Sequence, residues 1–341
     1  MFGTSGSLTF EFPGLRLGVA ECDEGPTGVT VFHFPTRAYG VVDTRGGAPG
    51  SSLTEALKCG FGKYVDAVVF TGGSAYGLEA ASGVATGLLE SGRASQHWGE
   101  VAVVPAAVVF DFKGRTNKVY PKRDLGMTAL QNCREGRFPL GAHGAGRFVH
   151  CGSYFGEQFM ERSGQGAAFG QYRSTRVAVF TVVNARGVIV DRSGKVSRGN
   201  RDPKSGMRAS IPQGIALAKQ ARVSVSASAG LTDNTTLTLV ATNRVLNREQ
   251  LERLAIETHS SMARAIQPFH TVRDGDTLFA ISTADCNTNT PDLADLSVLT
   301  SELAWDAVLS CVPADPQDSE VEVRSFGSSR ARPRMKSRPS R

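Results

Sequence analysis

Asn234-Thr235-Thr236 stands at a junction in the chain. A polar segment of Ser, Ala, Arg, Gln and Gly with little pattern runs up to Asp233, and a run of buried-strand character, Thr236 to Thr242 (TLTLVAT), follows at once. A threonine at the head of a strand, behind such a segment, has the placement of an N-terminal nucleophile before processing. In that chemistry the hydroxyl attacks the preceding carbonyl, the chain breaks between Asn234 and Thr235, and the freed α-amine becomes a local general base. An α-amine titrates at roughly 7.7–8.0 in model compounds, so it can do this work near neutrality without a histidine. The tripeptide taken alone favours a plainer reading, an ordinary strand start; Asn-x-Thr is also a glycosylation sequon.

Asp274-Gly275-Asp276 lies between a helical stretch and the strand-like run Thr277 to Thr283. Two carboxylates around a glycine can hold a threonine amine or hydroxyl, each tuning the ionisation of the other. On spacing alone a solvent-facing turn is the simpler reading, and the further oxygen ligands that a divalent cation would need do not stand out. Gly72-Gly73-Ser74-Ala75-Tyr76-Gly77 fails the G-x-S-x-G nucleophile pattern, because Tyr76 occupies the second glycine position. A strand-to-helix turn with Ser74 as N-cap is preferred there over a catalytic serine, and an anion cradled on the helix N-terminus is the other option. Gly141 to Gly146 lacks both the lysine of a phosphate loop and the acidic residue of a dinucleotide fingerprint, and reads as a turn. Neither the six cysteines nor the six histidines show metal-ligand spacing, and the cysteines read as buried free thiols.

The elements that must position these residues read as layered α/β. Gly28 to Phe34 and Tyr39 to Asp43 are strand-like, divided by Pro35-Thr36-Arg37; Val65 to Thr71 is a buried-type strand, followed after two glycines by a helix over Ser74 to Glu90. Val101 to Phe110 reads as one long strand or a pair, and Arg176 to Asn184 with Gly187 to Arg192 as a hairpin. A modest helical patch covers Ile211 to Lys219. A helix over Asn247 to Ile266, with an Asn N-cap and Gln250 three residues on, then the strand Thr277 to Thr283 and a helix over Leu296 to Cys311 complete the pattern. Strands alternating with amphipathic helices indicate sheets covered by helices.

The chain has 341 residues, 40% hydrophobic and 21% charged, the composition of a folded protein with a sizeable core. Its net charge of +6 belongs to the end of the chain: Arg324 to Arg341 holds six Arg and one Lys without an acidic residue, leaving 31 basic against 32 acidic residues elsewhere. That tail reads as disordered, and the body offers no basic face for nucleic acid. No apolar run reaches membrane-spanning length, and Met1 to Phe12 does not read as a secretory signal, so the cytoplasm is the expected compartment.

Taken in order, Gly25-Pro26-Thr27-Gly28-Val29-Thr30, Asp43-Thr44-Arg45-Gly46-Gly47, Thr71 to Leu78 (TGGSAYGL), Gly164 to Phe169 (GQGAAF), Asp233 to Leu237 (DNTTL) and Asp274 to Thr277 (DGDT) resemble the DmpA-like P1 peptidases. Within that family the chain is most similar to the nylon-oligomer (6-aminohexanoate-oligomer) endohydrolases, through His259-Ser260-Ser261-Met262 and Ile266 to Thr271 (IQPFHT). The resemblance implies an α/β fold of the four-layer αββα N-terminal-nucleophile type over residues 1–312. It also implies self-cleavage at Asn234–Thr235 into 1–234 and 235–341, and assembly of the resulting αβ units into a homo-oligomer, with a tetramer favoured. Thr235 is then the nucleophile, Asn184 an oxyanion-side donor, and Asp274 and Asp276 the carboxylates that orient the nucleophile. A side-chain amide in Asn184's role is worth roughly 2.7–4 kcal/mol. The substrate is a linear amide, and neither metal nor organic cofactor is implied. Two positions depart from the family pattern: Ser153 follows Gly152 where a lysine is usual, and Phe110 stands where a tyrosine is common. The rivals are a β-peptidyl or general aminopeptidase of the same architecture, and an assembly protein that has lost catalysis.

Overall fold

Alternation along the apolar strands decides the layers. The computed structural model describes residues 6–59, 64–220 and 234–312. Its principal strands are β1 (Arg16–Cys22), β2 (Thr27–Thr44), β3 (Ser51–Ser52), β4 (Tyr64–Thr71), β5 (Ala106–Val108), β6 (Gln165–Tyr172), β7 (Thr175–Asn184), β8 (Thr235–Arg244) and β9 (Thr277–Cys286). They hydrogen-bond in the order β6-β7-β8-β9-β2-β4-β5-β3, with β1 paired to β2. The principal helices are α1 (Glu79–Glu90), α2 (Arg123–Gln131), α3 (Arg248–Ser261) and α4 (Leu293–Ser310).

One set of side chains points inward. Phe32 and Phe34 of β2, Val68 and Phe70 of β4, Phe180 of β7, Leu237 and Leu239 of β8, and Phe279 and Ile281 of β9 form the central core. The alternate residues point outward: Val179, Val240, Leu278 and Ala280 meet α3 and α4, while Val29, Val31, Ala67 and Val69 meet α1 and α2. Residues of period two that are apolar on both faces belong to a sheet covered twice. The result is the expected αββα sandwich.

Strand β2 joins the two halves of this nine-stranded sheet. Its first part pairs with β1 and β4, and Tyr39–Thr44 pairs with β9. The turn expected at Pro35-Thr36-Arg37 is instead a bend inside this strand. The register against β4 shifts between His33 and Ala38, and Arg37 takes φ 56°. A proline lacking its N–H is tolerated at such an irregularity. The Arg37 guanidinium fixes the bend by donating to Asp66 Oδ1 at 2.9 Å and to the carbonyls of Gly99 and Val101.

Several local expectations need correction. The hairpin over 176–192 does not form. Val188–Val190 joins a separate small sheet with Val196–Arg198 and Ile266–Gln267, where Gly187 lies so close to the Gln267 and Pro268 backbone that a Cβ would meet it at 2.3 Å. Only Ala106–Val108 of the 101–110 run is strand. Ser74 is not an N-cap: it sits at φ 54° inside the turn, and a short 3-10 segment, Ser74–Leu78, precedes α1. The helix at 211 forms as Ile211–Gln220, and α3 opens with the full Asn247–Gln250 capping box but stops at Ser261. Cys133, Cys151 and Cys311 are buried free thiols, whereas Cys59 is exposed and Cys22 and Cys286 are half-buried. No helix among the described residues is long and apolar enough to cross a membrane. The basic tail from Arg324 and the polar run from residue 221 to Asp233 lie outside the described residues.

Phe180 is the hinge of the central core, with its ring centroid 4.9 Å from that of Phe138, 5.2 Å from Phe32 and 5.7 Å from Phe10. Phe180→Ala removes contacts to three aromatic rings at once and is expected to cost about 3–5 kcal/mol, read as a lower urea midpoint.

Candidate active site

Strands β8 and β9 run parallel, Leu237 opposite Thr277, so both begin at the same end of the sheet. Strand β7 runs antiparallel to β8 and ends there, with Asn184 opposite Thr235. Pairing alone therefore gathers Asn184, Asn234, Thr235 and the 274–276 loop. Asn234 forms a single parallel bridge with Asp274.

The bond between Asn234 and Thr235 is held in a specific arrangement. The Thr235 hydroxyl donates to the Asn234 carbonyl oxygen at 2.6 Å, and the Gly275 N–H donates to the same oxygen at 2.9 Å. A Cβ on Gly275 would lie 2.6 Å from Thr235 Oγ1 and 2.9 Å from the Ala48 carbonyl oxygen, so this N–H can reach the carbonyl only from a glycine. Arg45 to Ala48 line the other side of the loop: Arg45 N–H donates to the Asp276 carbonyl at 3.1 Å and Ala48 N–H to that of Asp274 at 2.9 Å.

The two carboxylates have separate tasks. Asp276 Oδ1 accepts the N–H of Thr236 at 2.7 Å, which fixes the backbone just past Thr235. Its Oδ2 faces both the N–H and the ring Nδ1 of His270, each at 3.0 Å. The His270 ring packs on His259, 4.3 Å between centroids, and His259 Nδ1 lies 2.9 Å from Asp43 Oδ2, so the 259–270 stretch braces Asp276. Asp274 Oδ2 accepts the Thr271 N–H at 2.8 Å, while Asp274 Oδ1 is buried and has no hydrogen-bond partner among the described residues. Burial first, then the neighbouring Asp276 charge, pushes the Asp274 carboxyl up to about 6. Neither carboxylate bonds the Thr235 hydroxyl in the uncut chain.

Asn184 is buried opposite Thr235. Its Nδ2 donates to the Phe110 carbonyl at 3.1 Å and its Oδ1 accepts the His150 N–H at 3.2 Å, which fixes the plane of the amide. The segment carrying Phe110 is anchored by the Gly72-Gly73 turn. Gly73 N–H donates to Asp111 Oδ1 at 2.9 Å, Arg115 pairs with the same carboxylate at 2.8 Å, and Ser74 N–H donates to the Val109 carbonyl. The glycine motif that resembled a nucleophile elbow is thus a support for residues 109–113.

Two groups escaped the sequence reading. One is the Gly275 N–H, which as a backbone donor has no letter of its own. The other is Lys113, which is buried and donates through Nζ to Asn234 Oδ1 at 3.4 Å, while the Ser153 hydroxyl donates to that oxygen at 3.1 Å. The cation absent after Gly152 therefore arrives from another loop. Its signal was a lone lysine three residues beyond Phe110, which local spacing does not distinguish from a surface residue. Among the described residues no group of three or more His, Cys, Asp or Glu is placed to hold a metal ion.

The chain is 40% identical over 312 residues to the 6-aminohexanoate-oligomer endohydrolase of Paenarthrobacter ureafaciens, covering 89% of this chain and 85% of that one. It is 36% identical over 261 residues to an uncharacterized aminopeptidase of Mycobacterium tuberculosis, covering 75% and 73% of the two chains. The L-aminopeptidase D-Ala-esterase/amidase of Ochrobactrum anthropi shares the fold, with a TM-score of 0.66 at 16% identity over 96% of each chain. The profile of Peptidase family S58 matches residues 10–314, and to that family this chain belongs.

Proposed function

We propose that this chain is a self-processing amidase that hydrolyses linear amide bonds of the 6-aminohexanoate-oligomer kind, with Thr235 as nucleophile. The observation that carries the reading is the Thr235 hydroxyl set against the Asn234 carbonyl, with the Gly275 N–H on the same oxygen. In self-cleavage Thr235 Oγ1 bonds to the Asn234 carbonyl carbon, the C–N bond breaks, and the hydroxyl proton passes to the departing nitrogen. Gly275 N–H stabilises the charge that builds on the carbonyl oxygen. Water then hydrolyses the ester, leaving a carboxylate on Asn234 and a free α-amine on Thr235. In turnover that amine takes the Thr235 proton as the hydroxyl attacks a substrate carbonyl, and gives it to the leaving amine. Asp274 Oδ1, buried without a partner among the described residues, is suited to receive the freed amine in its charged form. Asn184, fixed opposite Thr235, is the donor on the oxyanion side. The named amide hydrolase at 40% identity supports the substrate class. Assembly of the cut αβ units into a homo-oligomer, a tetramer, is proposed from the resemblance of the sequence motifs, and the cytoplasm is the proposed compartment.

On a denaturing gel the purified protein is expected to run as two pieces, 1–234 and 235–341, and Thr235→Ala as one. A Thr235→Ala chain that still splits at that bond would overturn the mechanism. Because Asp274 titrates at about 6, its carboxylate is available to a developing ammonium only above that pH. The splitting rate of fresh precursor is therefore expected to fall as pH drops through about 6. Asp274→Asn should be slower at pH 7 by about tenfold or more and should flatten that limb, followed by gel densitometry against time.

A further inference from the structure

A cavity of about 380 Å³ lies between the C-terminal ends of α1 and α2 and the β1–β2 pair, a size that takes a small molecule. The strands set its place. Val29, Val31 and His33 alternate on the face of β2 that α1 and α2 cover, so His33 continues an apolar row with an imidazole. Arg16 of β1 stands opposite His33 in the register, which sends both side chains to the same face. The cavity is remote from the Gly72-Gly73 turn, because the twelve residues of α1, about 18 Å, separate them.

The lining is cationic. Three guanidinium groups, those of Arg16, Arg93 and Arg134, face one carboxylate, Glu90, which itself lies 3.5 Å from Arg123. Cations also gather at helix C-termini for the sake of the carbonyls there, but here those carbonyls have other donors. The backbone N–H groups of Ser91, Gly92 and Arg93 take the last carbonyls of α1, and Arg134 Nη1 takes those of Gln131 and Cys133 at 2.8 Å each. Arg16 pairs with Glu135 at 3.5 Å between exposed side chains, a weak contact, and the Arg93 side chain makes no hydrogen bond or ion pair among the described residues. His33 is 2% exposed, and its Nδ1 is buried without a hydrogen-bond partner among the described residues.

Two groups at the cavity feel its charge. Burial, then Arg93 and Arg16, holds the His33 imidazole down at about 4, so near neutrality the ring is uncharged and keeps one N–H to donate. Burial pushes the Cys133 thiol up to about 12, against the pull of Arg134, Arg93 and Arg16. A guanidinium fork matches the paired oxygens of a phosphate or carboxylate.

We infer that this cavity is a binding site for a small oxyanion, a phosphate or a carboxylate, held by Arg16 and Arg93 with an N–H of His33. The site is separate from the amidase reading and does not depend on it. An ion bound by the folded chain alone stabilises that chain by mass action.

The test follows thermal unfolding of the full chain near neutral pH, with sodium phosphate or sodium adipate replacing chloride at constant ionic strength. For wild type the melting temperature is expected to rise with at least one of the two anions and to level off as the site fills. The anion that saturates tells phosphate from carboxylate. Arg93→Gln, at an exposed position, should raise the half-saturating concentration about tenfold or more, and Arg16→Gln should do the same. Arg253→Gln, which removes an equal charge from α3, should leave it unchanged. Should Arg93→Gln fail to fold, Arg16→Gln against Arg253→Gln decides. The general stabilising effect of phosphate on proteins neither levels off nor needs these arginines. No saturable rise with either anion, a rise that survives both Arg93→Gln and Arg16→Gln, or one weakened equally by Arg253→Gln overturns the inference. Hydrolysis is not read in this experiment, so the amidase reading stands or falls apart from it.

Discussion

The parallel pairing of β8 with β9 is the constraint on which the site depends. Antiparallel neighbours would send the head of one strand to the tail of the other. Parallel neighbours bring two heads together, so the residues ahead of Thr235 and those ahead of Thr277 share one corner of the sheet. Everything specific in that corner is short-range: an N–H from Gly275, a carboxylate from Asp276 on Thr236, a bridge between Asn234 and Asp274. Parallel strands need a long crossover, which helix α3 and the 262–276 segment supply, and that segment carries the histidine brace of Asp276.

Charge in this corner is arranged by burial. Burial is the main reason the carboxyl of Asp274 rises, and the neighbouring charge of Asp276 adds to it. Asp276 accepts two backbone N–H groups and faces a histidine ring nitrogen, whereas one oxygen of Asp274 has no partner among the described residues. Such asymmetry divides a structural carboxylate from one with spare accepting capacity. Lys113 reaches the side-chain oxygen of Asn234, whereas the 274–276 loop meets Asn234 along its backbone.

Much of the fold was legible in the letters because the strands are apolar on a period of two and the helices carry clear punctuation, as at Asn247 and Gln250. Thr235, Asp274 and Asp276 were legible because each belongs to a short motif at a strand head. The failures have physical causes. Val188–Val190 has the same apolar signature in any sheet, and only the close approach of Gly187 to Gln267 decides which sheet it joins. Pro35 to Arg37 looks like a turn because its composition is that of a turn, while ion pairing through Arg37 turns it into a bend. Lys113 lies 121 residues from Asn234, and nothing local to it announces that distance closed.

The strand order has one more consequence. Strands β8 and β9, from the C-terminal side of Thr235, lie between β7 and β2, both from the N-terminal side. Severing the backbone at residue 234 would release no flap and free no lobe, because the two polypeptides are woven through one another. Each would hold half of the ladder that the other needs, and parting them would mean tearing the sheet along both seams. A chain of this topology, if broken there, would be an obligate heterodimer from the moment it was made, with its new terminus locked in the interior.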